Sequence, residues 1–332
     1  MYKAFFNLRR NPFEITPDPS FLFPTRRHNE ALVALYYGIR RRKGFVVVTG
    51  EVGTGKTLLV RCLLELLKQS QVAFAYVFNP RLSPLEFLQY IAGDFGLAAS
   101  AKTKGELLLE LGSYVIARHQ KKLTTVLVID EAHHLSEEVL EEIRLLTNLE
   151  TGQEKLLQIL LVGQSELDAK LDSAELRQLK QRIALRSHLK PLDEQETRGY
   201  IRRRLQLAGG NLVHGNSHAN TLFPDSTVAV IYRYSRGIPR LINTVCENAL
   251  IIAYARQARL VTPDIIEEVA SDFRLGVTHP AKPVSSKDGN SEVREAMKTL
   301  LQLHDYLQEM RAERIAERIA NESPIRLGAT KQ

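Results

Sequence analysis

The sequence is poor in features that would tie the chain to a membrane or to an oxidising compartment. Its longest apolar stretches, such as Thr125 to Ile129 and Leu156 to Val162, fall far short of the ~18 apolar residues that span a bilayer. A secretory signal needs an apolar run near the start, where this chain carries Asn7, Arg9 and Arg10. Cysteine is scarce. Cys62 and Cys246 are the only two among 332 residues, and each falls in an apolar helical pattern, so they read as small core residues in reducing surroundings rather than a disulfide. These absences give the expectation of a cytoplasmic protein. A zinc finger, a helix-turn-helix signature and an aromatic stacking array are missing too, which excludes the common base-reading modules.

What is present is ample apolar material. At 332 residues and 44% hydrophobic content, the chain can bury one large core or two modest ones, and a main domain with a smaller companion is expected. The net charge of +7 permits nucleic acid or anionic lipid as a partner without demanding either. Basic clusters stand at Arg26-Arg27, Arg40-Arg41-Arg42-Lys43, Lys121-Lys122 and Arg202-Arg203-Arg204. Their scatter along the chain reads first as solvated helix faces and ends.

Residues 1–43 open with a proline-punctuated aromatic stretch, Asn11-Pro12-Phe13 through Pro24, too irregular for a long helix. It is expected to be a strap packed, with the first helix, on the main domain. From Phe45 apolar runs alternate with helical patterns: strands at Phe45 to Thr49, Val72 to Phe78, Thr125 to Ile129 and Leu156 to Val162. Helices are expected at Thr57 to Gln69, after the capping boxes Ser83 to Glu86 and Thr103 to Glu106, from Ser136 to about Leu149, and from about Glu166 to Leu179. This alternation implies a parallel sheet with helices on both faces and a ligand site at the carboxyl ends of its strands. After Pro191 only helices follow: Asp193 to Leu207, Asp225 to Tyr234, Pro239 to Ala255, and one capped by Thr262-Pro263. The expected divisions are a core at 44–191, a helical domain at 192–274, a linker rich in Pro, Ser and Lys at 275–291, and a helical tail at 292–332.

Two motifs carry chemistry. Gly50-Glu51-Val52-Gly53-Thr54-Gly55-Lys56-Thr57, followed by Leu58, stands between an apolar strand and a helix. Glycines in that position let backbone N–H groups wrap a phosphate, Lys56 reaches the terminal phosphates, and Thr57 holds Mg2+. The phosphates of ATP then sit at a positive helix N-terminus. The run Val126 to Ile129 ends in Asp130 and Glu131, which assigns Asp130 to the metal and Glu131 to orienting and deprotonating an attacking water. The expected cofactors are therefore ATP and Mg2+. Asp130-Glu131-Ala132-His133 also spells a helicase tetrapeptide, but no other helicase motif occurs in the chain. His133 and His134, adjacent and without further ligands, make poor chelators and read as a polar cap before Ser136.

The order and spacing of several signatures over about residues 1 to 273 resemble the AAA+ ATPases of the general secretion pathway protein A (ExeA) type, related to the transposition ATPases TnsC and TniB. The likeness rests on Asn11-Pro12-Phe13, Thr16-Pro17-Asp18-Pro19, Thr49 to Gly53, Asp130 to His133, Leu161-Val162-Gly163-Gln164, Gln181-Arg182-Ile183 and Gly237-Ile238-Pro239-Arg240. It implies a three-layer P-loop core of AAA+ type with a small all-helical lid, and the helical tail read from the sequence pattern follows beyond the likeness. It also implies roles for three residues. Gln164 resembles the sensor that hydrogen-bonds the water or γ-phosphate, Arg240 the second sensor that closes the lid, and Arg182 the arginine finger lent to a neighbouring subunit, with Arg177 and Arg186 as competitors for that role. Phe23, Arg26, His28 and Tyr37 either border the adenine or belong to the core.

A finger acting in trans implies an ATP-dependent homo-oligomer, a ring or filament. The resemblance implies work on secretion or cell-envelope assembly, with a peripheral membrane partner. This chain has a linker and one charged helix where secretion-type members carry a membrane span and a peptidoglycan-binding domain. The alternative is a regulator of transposition that binds duplex DNA through cations such as Arg81 and Lys102 to Lys104 and recruits a transposase. A non-hydrolysing nucleotide switch ranks last, because Glu131 is intact. The tail stripe Val293, Met297, Leu300, Leu303, Leu307 and Met310 suits a protein partner, self-association or docking on the protein's own surface.

Overall fold

The computed structural model describes residues 2–68, 71–78, 81–209 and 222–275. Five strands form one all-parallel sheet in the order β2-β3-β4-β1-β5. They are β1 (Phe45–Gly50), β2 (Ala73–Val77), β3 (Thr125–Ile129), β4 (Leu157–Gly163) and β5 (Ile183–Leu189). Successive side chains of a strand point to opposite faces, and the central strands are apolar on both. Val46, Val48, Val126, Val128, Leu160 and Val162 face one layer, while Phe45, Val47, Leu127, Ile129, Ile159 and Leu161 face the other.

The first layer holds α2 (Arg26–Arg40) and α3 (Lys56–Lys68), which bury Leu35, Ile39, Leu59, Leu63 and Leu67 against the valines. The second holds α4 (Pro84–Asp94), α5 (Lys104–Gln120), α6 (Glu137–Leu146), α7 (Ser165–Leu171) and α8 (Arg177–Lys180). Each fully buried Leu or Ile here contributes about 1.5–3 kcal/mol relative to exposure. Both expected capping boxes form: Ser83 and Thr103 each accept from the backbone N–H three residues on, and Glu86 and Glu106 reach back. Thr262 occupies the N-cap position of α12 (Pro263–Asp272) without a side-chain capping bond.

Two local readings are corrected. The helix expected from Glu166 to Leu179 breaks after Leu171, where Asp172 and Ser173 compete for helical backbone hydrogen bonds. Asp172 is instead drawn to Lys180 (3.1 Å) and Arg186 (3.3 Å). Beyond it lies β5, an edge strand missing from the sequence reading, whose sequence Ile-Ala-Leu-Arg-Ser-His-Leu alternates half-buried with exposed positions.

The remaining helices, α9 (Glu194–Leu207), α10 (Asp225–Ser235), α11 (Pro239–Ala255) and α12, form a bundle with its own core. The opening strap, which includes α1 (Tyr2–Phe5), belongs to this core. Tyr2, Leu8 and Phe13 pack among Ile201, Leu205, Cys246 and Leu250, and the Tyr2 hydroxyl donates to Glu247 at 2.8 Å. Strap and first helix were expected to pack together on the sheet domain; α2 does so, while the strap bridges, its aromatic side chains finding apolar partners in the bundle and its Pro17 carbonyl accepting from Arg61 of α3 at 2.8 Å. Cys62 and Cys246 are buried free thiols. No helix among the described residues is long and apolar enough to cross a membrane. The expected linker and tail, from 276 onward, lie outside the described residues.

Candidate functional site

The loop between Gly50, the last residue of β1, and Lys56, the first of α3, is pinned from three sides. Within it, the Thr54 hydroxyl donates to the Glu51 carbonyl at 2.8 Å. From below, buried His28 holds the Thr54 carbonyl at 3.2 Å through Nε2. A carbonyl only accepts, so Nε2 carries the proton and Nδ1 accepts from the Thr25 hydroxyl at 2.7 Å. Burial lowers the His28 pKa, which keeps this neutral arrangement. From the bundle, the Arg240 backbone N–H donates to the Gly53 carbonyl at 3.2 Å. Gly53 has φ +82°, and a Cβ there would lie 2.7 Å from Arg240 Cβ, so only glycine permits this approach. Lys56 is buried, with Nζ donating to the Gly50 and Glu51 carbonyls at 2.8 Å each. Burial pulls its ammonium below the usual lysine range, opposed by Glu131 and Asp130.

The acidic pair lies across from this loop, because β3 is separated from β1 only by β4. Asp130 Oδ2 accepts from the Thr57 hydroxyl and from the Tyr76 hydroxyl, both at 2.9 Å, and Oδ1 accepts from the Glu131 N–H at 2.9 Å. Burial and the Asp130 carboxylate raise the Tyr76 phenol pKa, so it stays a donor. Glu131 adopts a left-handed backbone (φ 51°), which costs a non-glycine residue roughly 1–2 kcal/mol. Its Oε2 is buried without a hydrogen-bond partner and faces His133 Nδ1 at 3.4 Å. That nitrogen accepts the Gln164 N–H at 3.4 Å, and burial lowers the His133 pKa. The neutral ring therefore offers Glu131 no proton, and the carboxylate keeps a free lone pair.

These groups line a single cavity of about 410 Å³: Val52, Gly53, Gly55, Lys56, Thr57 and Leu58 on one side, Glu131 and Gln164 on another, and Arg240 with Pro239 on the bundle side. Asp130 stands behind Thr57. The strap residues Ile15 to Pro17 and the bundle residues Tyr200, Arg204 and Asn243 complete the wall. Phe23, Arg26, His28 and Tyr37 are absent from it. Phe23 packs edge-on against Tyr200 at 5.9 Å, Arg26 pairs with Glu30 at 2.7 Å, and Tyr37 is exposed.

Arg204, one of three consecutive arginines read as a solvated cluster, is buried. It donates to the Pro12 and Glu14 carbonyls at 3.0 and 3.2 Å, and its guanidinium lies over the Phe21 ring at 4.6 Å. Its spacing of four from Tyr200, which sets both on the inner face of α9, is a sequence signal that the cluster reading passed over. Tyr76 gave no signal, since its bond to Asp130 spans 54 positions. Arg182 lies away from the cavity: it leads into β5, where Ile183 pairs with Phe45, at the sheet edge opposite Gly50, and it donates to the Thr147 hydroxyl at 2.9 Å. Arg186 is held by Asp168 at 2.6 Å and by Asp172, whereas Arg177 is exposed at the start of α8.

The AAA domain family matches residues 39–171. General secretion pathway protein A of Aeromonas hydrophila is 43% identical over 267 residues, covering 80% of this chain and 47% of that protein. The chain belongs to the AAA+ ATPase family. The Mu-like prophage FluMu DNA transposition protein B of Haemophilus influenzae is more distant, 29% identical over 45% of this AAA+ chain and 50% of its own length. The AAA+ chain thus spans about half the length of each of these two relatives. Among solved structures, Drosophila ORC bound to DNA superposes with a TM-score of 0.61 at 18% identity, over 81% of this chain and 66% of that one. The Aeropyrum pernix ORC2 protein, solved as ADPNP-ADP complexes, gives 0.57 at 18% identity over 81% and 73%. At such identity the likeness establishes the shared fold. A buried lysine, a hydroxyl paired with a carboxylate and a second carboxylate with a free lone pair have the chemistry to meet a phosphate chain and to accept a proton.

Proposed function

We propose that this AAA+ protein binds ATP with Mg2+ in the cavity between loop, strap and bundle, hydrolyses it, and works as a homo-oligomer. The observation that carries the reading is the convergence of Lys56, Thr57, Glu131, Gln164 and Arg240 on one cavity, with Asp130 bonded to Thr57. The donor set fits the groups it would hold. Gly53 leaves room for a close backbone approach, and Lys56 is engaged only with loop carbonyls that it can exchange for phosphate oxygens. Thr57 and Asp130 would hold Mg2+, which supplies charge neutralisation at the β- and γ-phosphates. Glu131 takes a proton from water through the carboxylate oxygen turned to the cavity, while Oε2 is buried against His133. Gln164 sits on the same wall to orient that water, and Arg240 ties the bundle to the loop through Gly53, so the bundle acts as a lid that responds to the nucleotide. Arg182 is assigned as the finger given to a neighbour, since its position away from its own cavity suits action in trans.

The work done is read from the relatives. Likeness to general secretion pathway protein A supports a role in assembling secretion or cell-envelope machinery, with the tail meeting a protein or peripheral membrane partner. The transposition protein B match favours, as the second reading, a DNA-binding regulator that recruits a transposase. ATP turnover measured against protein concentration, with and without duplex DNA at two salt concentrations and with assembly followed by light scattering, separates them. Turnover that rises with concentration and ignores DNA supports the first reading; DNA-stimulated, salt-sensitive assembly supports the second. No turnover at any concentration leaves a nucleotide-switched scaffold. Normal assembly-stimulated turnover by Arg182→Ala rejects it as the finger.

A further inference from the structure

In an all-parallel sheet every strand starts on the same edge, so residues that immediately precede strands converge in space however far apart they lie in sequence. Two basic clusters occupy such positions: Arg40 to Lys43 lead into β1, and Lys121-Lys122 lead into β3. They are joined directly. The Arg42 guanidinium donates to His119 Nδ1 at 2.7 Å and to the Leu123 carbonyl at 3.2 Å. This edge is opposite the one that carries the loop from Gly50 to Lys56.

The acids on this edge are already neutralised. Glu154 contacts Arg42 at 3.4 Å, and Glu150 pairs with Lys155. Arg40, Arg41, Lys43, Lys121 and Lys122 are exposed, and none makes a side-chain hydrogen bond or ion pair among the described residues. Cations do complement helix C-termini, and α2 and α5 both end here, which accounts for some positive charge. It does not account for the backbone. Arg42 and Lys122 hold φ values of +50° and +58°, at turns where glycine or asparagine is the unstrained choice. The Arg42 side chain offsets that strain through its bonds; the Lys122 side chain makes none among the described residues, its N–H alone donating to the His119 carbonyl at 2.8 Å. Between the clusters opens a concave cavity of about 600 Å³ lined by Arg42, His119, Gln120, Lys122, Thr151 and Gln153, with the Glu154 carboxylate turned to Arg42.

We propose that this amino edge of the sheet is a docking surface for the phosphodiester backbone of a nucleic acid, bound without reading bases. A ridged, hydrated polyanion fits a polar concavity flanked by unpaired cations. A bilayer surface is flat and is usually entered by apolar side chains, and none lines this cavity. The cations expected from sequence for this task are partly committed elsewhere, since Lys102 pairs with Glu110 and Lys104 with Glu142. The surface lies away from the nucleotide cavity, so it stands or falls independently of the ATPase reading.

The test measures fluorescence anisotropy of a labelled mixed-sequence DNA duplex with the full chain, between about 50 and 200 mM salt. Two variants report from the two chain segments, Arg40→Ala with Arg41→Ala, and Lys121→Ala with Lys122→Ala. Each pair is expected to weaken binding on the order of tenfold at low salt and to lower the salt slope by about two. Lys104→Ala leaves both unchanged, and a labelled ATP analogue titrated against each variant confirms that the opposite edge is intact. Wild-type affinity and slope in both pairs overturn the proposal. It is equally overturned if the wild-type chain ignores DNA and binds phosphatidylglycerol vesicles through these same cations.

Discussion

Gly237 stands where the helical bundle meets the end of the sheet domain, and replacing it with alanine should loosen that joint. It follows Arg236, the left-handed C-cap of α10, and has φ +73° itself. The Leu192 N–H donates to its carbonyl at 2.9 Å, and a Cβ at this position would lie 1.8 Å from the Leu192 carbonyl oxygen. An unstrained C···O approach is about 3.3 Å, so the backbones must part by roughly 1.5 Å. The left-handed conformation costs alanine about 1–2 kcal/mol. The broken backbone bond adds about 0.5–1.5 kcal/mol and the displaced packing about 1–3 kcal/mol. A total of roughly 3–6 kcal/mol is a large part of the 5–15 kcal/mol that stabilises a typical fold. Arg240, three residues further on and bonded to Gly53, moves with the joint, so nucleotide affinity falls together with stability. Thermal denaturation and nucleotide titration of Gly237→Ala read both effects, with a midpoint lowered by roughly 10 °C. Gly93→Ala is the control: Gly93 lies in α4 with open space around it, and alanine there gains up to about 1 kcal/mol. Equal midpoints and equal affinities in the two variants would refute the reasoning.

Arg204→Lys keeps the charge but loses the fork that reaches the Pro12 and Glu14 carbonyls; a loss of about 2–3 kcal/mol is expected, read by urea denaturation, with proteolysis at the strap as a second readout. Tyr76→Phe removes one of two hydroxyls from Asp130 Oδ2, so a Mg2+ titration of nucleotide binding should shift to higher metal concentration while the melting midpoint moves little. The His28 pKa lies below its ordinary 6.5 in the fold because of burial. The unfolded chain therefore binds more protons just below pH 6.5, and stability falls as pH drops through that window. His28→Gln should flatten this dependence between pH 7.5 and 5.5 in denaturation curves.

The sheet was legible where sequence and burial agree. Val126 to Ile129 is apolar on both faces and ends in carboxylates, so strand, edge and chemistry were readable together, and the capping boxes at Ser83 and Thr103 fixed two helix starts. β5 was illegible for the converse reason. An edge strand with one open face tolerates Arg186, Ser187 and His188, which dilute the apolar signal. The site was legible in its loop and acids, where local spacing sets the chemistry. Its other walls depend on tertiary contacts: strap residues Ile15 to Pro17 reach the cavity because Phe13 and Tyr2 are buried in a bundle far along the chain, and no local pattern encodes that partnership. The buried Arg204 shows the same limit, since a run of three arginines looks solvated until the orientation of its helix is known.

The central claim is that Glu131 serves the chemical step and Lys56 the binding of nucleotide. Single-turnover hydrolysis of ATP, with binding of a labelled ATP analogue measured in parallel, tests it on the wild type, Glu131→Gln and Lys56→Ala. Glu131→Gln is expected to bind the analogue within a few-fold of wild type and to hydrolyse ATP on the order of 100-fold or more slowly, while Lys56→Ala fails to bind. Wild-type hydrolysis by Glu131→Gln, or full nucleotide affinity in Lys56→Ala, would contradict it.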